Sequence, residues 1–262
     1  MPSEKMISKV ENGVGWMILN NPERHNAISL EMWDAALEIM TAFAADKSVR
    51  VMVLTGAGGK SFASGADISK FKDERQEAAA VAHYQETTQK AYETLQAMPI
   101  PTIAMIRGYC IGGGTAVAVC CDLRICTENA KFGVPAAKLG LGYGLNRAKP
   151  LVDLVGPAFA KEMFFTGRQF DAREAERMGL VNRVVPNDAL DATVEELART
   201  IAENAPLTVR CSKLVVGEAL KDAQVRNVAA TERAVEACFR SNDYREGQTA
   251  FMEKRKPRFT GT

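Results

Sequence analysis

Three consecutive glycines, Gly112-Gly113-Gly114, stand between an apolar run of strand length, Thr102 to Ile106, and an apolar stretch from Thr115 to Cys121 that reads as a buried helix. Residues without side chains let backbone N–H groups come close to a ligand. The helix behind them adds a positive end of about half a charge. Such a turn can hold an oxyanion, and the plain alternative is a tight turn with close helix–strand packing. A second loop of similar character, Phe62-Ala63-Ser64-Gly65-Ala66-Asp67-Ile68, follows the strand ending at Thr55. Neither is a nucleotide loop of the Gly-Lys-Ser/Thr kind, and neither matches the dinucleotide G-x-G-x-x-G fingerprint in a first strand-to-helix turn.

The first half of the chain alternates strands and helices. Trp16 to Leu19 and Val51 to Leu54 have strand length. Between them Ser29 is placed to cap a helix whose apolar positions Leu30, Trp33, Leu37 and Met40 share one face. Asp73 to Lys90 predicts an exposed helix that gains apolar residues towards Leu95 and stops at Pro99 and Pro101. Asp122 to Cys126 alternates as a strand does. After about residue 150 helices dominate, over 157–166, 171–178, 188–203, 206–221 and 224–241, with one short strand from Val181 to Val185. The expected organisation is an α/β core over 1–200 followed by a helical region over 201–262.

Charge and cysteine usage narrow the function classes. Lys plus Arg is 33 against 32 for Asp plus Glu, so there is no cationic excess for counterion release on a nucleic acid. No run reaches the roughly 18–20 apolar residues that span a bilayer, and MPSEKMISKV lacks the apolar core of a secretory signal. Cys110, Cys120, Cys121, Cys126, Cys211 and Cys238 form no C-x-x-C pair. They read as free thiols of a reducing compartment, the cytoplasm. The two histidines, His25 and His83, lie far apart, so neither a metal site nor a serine triad is expected.

The stretch from Ile100 through Gly114, continued by Cys121-Asp122-Leu123-Arg124-Ile125 and Ala130-Lys131-Phe132-Gly133, resembles the enoyl-CoA hydratase/isomerase (crotonase) family. Asn20-Asn21-Pro22 with Asn26-Ala27, Gly179-Leu180-Val181-Asn182 and the ending Ala250 to Arg255 resemble further motifs of that family. Arg107 stands where a small or amide residue is common. The resemblance implies a spiral of strand-strand-helix units with a C-terminal helical region used for trimerisation, as a homotrimer or a dimer of trimers. It implies an acyl-CoA substrate, with coenzyme A present as part of the substrate and no prosthetic group or metal. By the same resemblance, the amides of Ala66 and Gly113 hold the thioester oxygen. Arg24, Ser64, Asp67, Ile68, Phe251 and Lys254 take positions along the coenzyme A, although Arg24 and Lys254 also read as plain solvated charges and Asp67 as a helix cap.

Two departures bear on the reaction. Hydratases of the family use two glutamates, and the matching positions here hold Ala116 and Ala136. Alanine moves no proton, and positioned acid–base groups are usually worth about 10²–10⁴ in rate. Ala137 to Tyr143 resembles the corresponding stretch of the methylmalonyl-CoA decarboxylases, which carry a tyrosine at that place but a histidine where this chain has Ala66. The sequence therefore favours a decarboxylase-like lyase with Tyr143 in the site. The alternatives are a hydratase or isomerase that recruits Tyr143 or Lys138 with water, and a non-catalytic acyl-CoA-binding protein. Pocket walls are expected from residues 70–100 and 140–150.

Overall fold

The computed structural model describes residues 3–67 and 78–262. The described strands form two sheets. Across the larger run β1 (Met6–Glu11), β2 (Val14–Leu19), β3 (Val51–Gly56), β5 (Thr102–Ile106), β7 (Leu123–Thr127) and β10 (Arg183–Val185). β1 and β2 form an antiparallel hairpin, and the remaining neighbours are parallel. The smaller sheet orders β4 (Ser61–Ala63), β6 (Tyr109–Ile111), β8 (Lys131–Gly133) and β9 (Phe170–Asp171), the first three parallel and the last antiparallel.

The two sheets are threaded alternately. β3 leads to β4, β5 to β6 and β7 to β8, and each short strand is followed by helix. The helices are α1 (Leu30–Ala45), α2 (Ala78–Gln96), α3 (Gly113–Cys120) and α4 (Leu145–Thr166), the last preceded by a 3-10 turn over Pro135–Leu139. This is the strand-strand-helix spiral that the motifs imply. Parallel strands covered on both faces read as continuous apolar runs, while successive side chains still point to opposite sides. Accordingly Val51 and Val53 face one core with Val194 and Ala198 of α6 (Leu190–Glu203), and Met52 and Leu54 face the larger core with α1 and α3.

Several elements differ from the sequence reading. β1 is an added strand, buried only at Met6, so its pattern gives no alternation to read. α4 begins twelve residues before the expected start at 157, because the chain turns through Gly156 at φ 73 and resumes as helix. Ser29 precedes α1 in the extended conformation of a cap, but its side chain makes no capping bond. Short α5 (Ala172–Arg177) has a full capping box: the Asp171 carboxylate accepts from the Glu174 amide at 2.9 Å, and Glu174 accepts from the Asp171 amide at 3.0 Å. α6 runs through residue 200, with Ala202 still in the core. Beyond it come α7 (Pro206–Ala219), α8 (Val228–Arg240) and α9 (Asn242–Met252). The last was not foreseen, although Ser241 caps it by accepting from the Tyr244 amide at 3.0 Å. Lys213 ties α7 to the core, donating to Asp122 at 2.7 Å and to the Ile100 carbonyl at 2.9 Å.

Candidate active site

The carboxyl ends of β4, β6 and β8 lie side by side and form the floor of a cavity of about 330 Å³. Ser64-Gly65-Ala66 leaves β4, Gly112-Gly113 leaves β6 and Val134-Pro135-Ala136 leaves β8, and all of them line it. The sheet register sets their spacing, and further bonds hold the loops. The Gly112 amide donates to the Gly133 carbonyl at 2.7 Å. The Thr115 hydroxyl donates to the Cys110 carbonyl at 2.6 Å, fastening the start of α3 to β6.

Glycine is required at two points of this floor. Gly65 has φ +104, and a Cβ there would lie 3.1 Å from the Gly113 nitrogen. A Cβ on Gly114 would meet the Ala63 carbonyl oxygen at 2.2 Å, because α3 begins pressed against β4. The Ala66 and Gly113 amides thus border the same space. Among the described residues neither donates to a protein acceptor, while the flanking amides are used: Ile28 donates to Gly65 at 2.8 Å and Asp67 to Ile28 at 3.0 Å. Two unsatisfied donors beside one cavity can polarise a carbonyl oxygen.

The Asn20 to Ala27 motif supports this loop from behind. Asn26 is fully buried at φ 54. Its amide nitrogen donates to Ala57 and Ser61 carbonyls at 3.0 and 2.7 Å, and its oxygen accepts from the Asn21 amide at 2.9 Å. That knot holds Ile28 against Ala66. Sequence reasoning found the motif but not this positioning role.

The walls are side chains. Trp33 comes from α1, and Val81, Tyr84, Gln85, Thr88 and Tyr92 come from α2. Leu139, Leu141, Gly142, Tyr143 and Arg147 close the other side. The walls therefore come from the expected stretches with Trp33 and Leu139 added. Tyr143 packs on Phe164 with ring centroids 4.9 Å apart, and the Arg147 guanidinium lies 5.7 Å from the Tyr143 ring centre. Burial pushes the Tyr143 hydroxyl up to about 12, and Arg147 opposes the shift. Tyr92 is buried against Trp33 and its hydroxyl is raised well above the usual tyrosine range, chiefly by burial. Both phenols are neutral donors at ordinary pH.

The other expected residues fall in three places. Ala136 lines the cavity and Ala116 is buried in α3, 3% exposed. No carboxylate stands among the described lining residues. Ser64 lines the cavity and its hydroxyl donates to the Arg24 carbonyl at 3.2 Å, so Arg24 adjoins the floor with its side chain in solvent. Asp67 is buried beside it, and Ile68 lies outside the described residues. Phe251 (87% exposed) and Lys254, at the end of α9, are not in the lining, nor is Lys138, whose stem lies beside Gly167. Among the described residues no group of three His, Cys, Asp or Glu is arranged to hold a metal ion, and no helix is long and apolar enough to cross a membrane.

A spiral fold with paired free amides beside an acyl-sized cavity defines the class. The chain belongs to the enoyl-CoA hydratase/isomerase family, whose model matches residues 9–262. It is 36% identical over 259 residues to the crotonyl-CoA hydratase of Syntrophomonas wolfei, covering 99% of both chains. It is 34% identical to the short-chain-enoyl-CoA hydratase of Clostridium acetobutylicum, covering 98% of this chain and 97% of that one. Among solved structures, an enoyl-CoA hydratase/carnithine racemase from Magnetospirillum magneticum superposes with a TM-score of 0.92 at 38% identity, over 99% of this chain and 97% of that one. The enoyl-CoA hydratase of Bacillus anthracis gives 0.92 at 32%, over 99% and 100%. These names speak for the hydration alternative and lend nothing to the decarboxylase preference drawn from Ala137 to Tyr143.

Proposed function

We propose that this chain is an acyl-CoA thioester enzyme in which the amides of Ala66 and Gly113 hold the thioester oxygen while negative charge develops on it as an enolate. One observation carries the reading: two donors without protein acceptors border one cavity from neighbouring loops. Fixed dipoles stabilise the charged state more than the ground state, and losing one such donor typically costs about 2.7–4 kcal/mol. Ser64, with Arg24 beside it, marks the entrance through which coenzyme A reaches the floor. Asp67 continues that path.

The names of the relatives favour an enoyl-CoA substrate and hydration or double-bond migration. With Ala116 and Ala136 in place of carboxylates, no carboxylate orients the water, and the Tyr143 hydroxyl in the lining takes that part. Water then adds hydroxyl to the β-carbon and a proton reaches the α-carbon. A second reading rests on the lack of a carboxylate among the described lining residues. Decarboxylation breaks the bond to an α-carboxylate, leaves its electron pair as the same enolate and releases carbon dioxide, with no base needed. Tyr143 then donates its proton to the α-carbon and regains one from water. Purified protein offered crotonyl-CoA and malonyl-CoA separates the two. Hydration of the first supports the first reading, and loss of carbon dioxide from the second supports the other. Tight binding of both without turnover reduces the protein to a binder.

The C-terminal region supports self-association. Val216, Leu220, Val228 and Phe239 are 55–66% exposed, and we infer that further copies of this chain cover them, in a trimer or a dimer of trimers. In that assembly Phe251 and Lys254 close over the coenzyme A of a neighbouring copy. Light scattering that reports a monomer at micromolar concentration contradicts this. The buried thiols Cys110, Cys120, Cys121 and Cys126 are free and suit a reducing compartment, the cytoplasm.

A further inference from the structure

The charge of the cavity is one-sided. Among the described lining residues Arg147 is the only one that is charged at neutral pH, and no carboxylate within the described residues pairs with it. The guanidinium is exposed at the edge of the cavity. It is close enough to act on two separate wall residues, since its charge opposes the upward shift of both Tyr143 and Tyr92. Tyr92 is only 6% exposed, yet its hydroxyl makes no hydrogen bond among the described residues, and neither does that of Tyr143.

A purely hydrocarbon acyl chain satisfies none of these groups. It leaves buried donors unpaired and brings apolar surface against a cation, and both are unfavourable. A carboxylate is acceptor-only, with two oxygens and room for about four hydrogen bonds. Its planar fork matches a guanidinium, and neutral phenols can donate to the oxygens left over. Arg147 belongs to a different stretch of the lining from the two floor amides, so this carboxylate is a different group from the carbonyl that the amides hold.

We propose that the acyl group of the substrate carries a carboxylate away from the thioester, so that the substrate is a monothioester of a dicarboxylic acid, and that Arg147 is the specificity-determining residue. The proposal rests on the acyl-CoA reading above and goes with its hydration form, because decarboxylation would take a further carboxylate on the α-carbon.

The test is calorimetric binding of succinyl-CoA, butyryl-CoA and free coenzyme A to the full-length protein. Succinyl and butyryl chains have the same length and differ in the terminal group. The expected result is succinyl-CoA bound about 10- to 100-fold more tightly than butyryl-CoA, the range of a hydrogen-bonded charged group. Salt should narrow that margin because Arg147 is exposed. Arg147→Gln should erase the preference, Arg147→Lys should keep part of it, and Arg147→Glu should invert it. Equal affinity for the two thioesters, or a preference that survives Arg147→Gln, overturns the proposal while leaving the acyl-CoA reading intact. If neither thioester binds more tightly than free coenzyme A, both fall together.

Discussion

The floor and the walls of the cavity are built on opposite principles. The floor is main chain: three strand ends in register, glycines where any Cβ would collide, and amides whose direction the sheet fixes. The walls are side chains from α1, α2 and the 139–147 stretch, with exposed apolar residues at Leu139 and Leu141. A backbone site tolerates little change, because shifting one strand end moves the others. A side-chain wall can be exchanged residue by residue. Alanine at Ala136 on the floor and at Ala116 in α3 changes side chains alone and leaves the main chain that carries the paired amides in place. On the function proposed above, the floor selects the class of chemistry, and the walls select the acyl group and the proton route.

Breaking the floor should have the largest effect. Gly114→Val forces a Cβ against the Ala63 carbonyl, and both are backbone-anchored. We expect a loss of roughly 3 kcal/mol, at the upper end for overpacking, seen as a melting point lower by about 6–12 °C. An unchanged melting point would mean that the two elements are not pressed together. Next comes Asn26→Ala, which leaves the Ala57 and Ser61 carbonyls and the Asn21 amide without their buried partner. A destabilisation of about 2–3 kcal/mol is expected in urea titration, together with reduced turnover as Ile28 loosens from Ala66.

In the walls, Tyr143→Phe removes only a hydroxyl. Turnover should fall about 100-fold with affinity for coenzyme A little changed, and full retained activity would strip Tyr143 of any chemical part. The phenol's raised pKa implies that this contribution persists at least to pH 10, because the donor stays protonated there. A smaller effect concerns alkaline stability. Burial pushes the Cys120 thiol up to about 11 and the Cys121 and Cys126 thiols to about 12, against an ordinary value of 9. The folded state then retains protons that the unfolded state loses. The thiols' contribution to stability should be flat below pH 9 and decline above it through pH 11–12, by at most about 1.4 kcal/mol per pH unit for each thiol. Removing Cys121 should make the decline shallower; an unaltered slope would contradict the burial. Least of all, Leu139→Ser at the exposed rim should move stability by under about 0.5 kcal/mol.

The same contrast governs what could be read from the sequence. The floor was legible because its requirements fall on consecutive residues: Gly112 to Gly114 before an apolar helix, and Ser64-Gly65-Ala66 after a strand. The motifs around them gave the spiral. The walls were only outlined. Tyr84 and Thr88 lie in a segment read as a polar, exposed helix, because a face that lines a cavity carries hydroxyls and breaks the apolar period. β4, β6, β8 and β9 have two or three residues each, too few for an alternation to register. Pro150 and Pro157 hid the first half of α4, which reaches the cavity through Arg147. That arginine shares the titratable segment of Lys138 and Tyr143, but an isolated cation in a sequence looks like any solvated charge until its neighbours are known.

The central claim is that the Ala66 and Gly113 amides converge on one thioester carbonyl. A crystal structure of the protein with a bound, non-reacting acyl-CoA analogue tests it most directly. The expected result is the thioester oxygen within about 2.7–3.1 Å of both nitrogens, the range of a working oxyanion site. An analogue bound in the cavity with its carbonyl turned away from either amide would contradict the account.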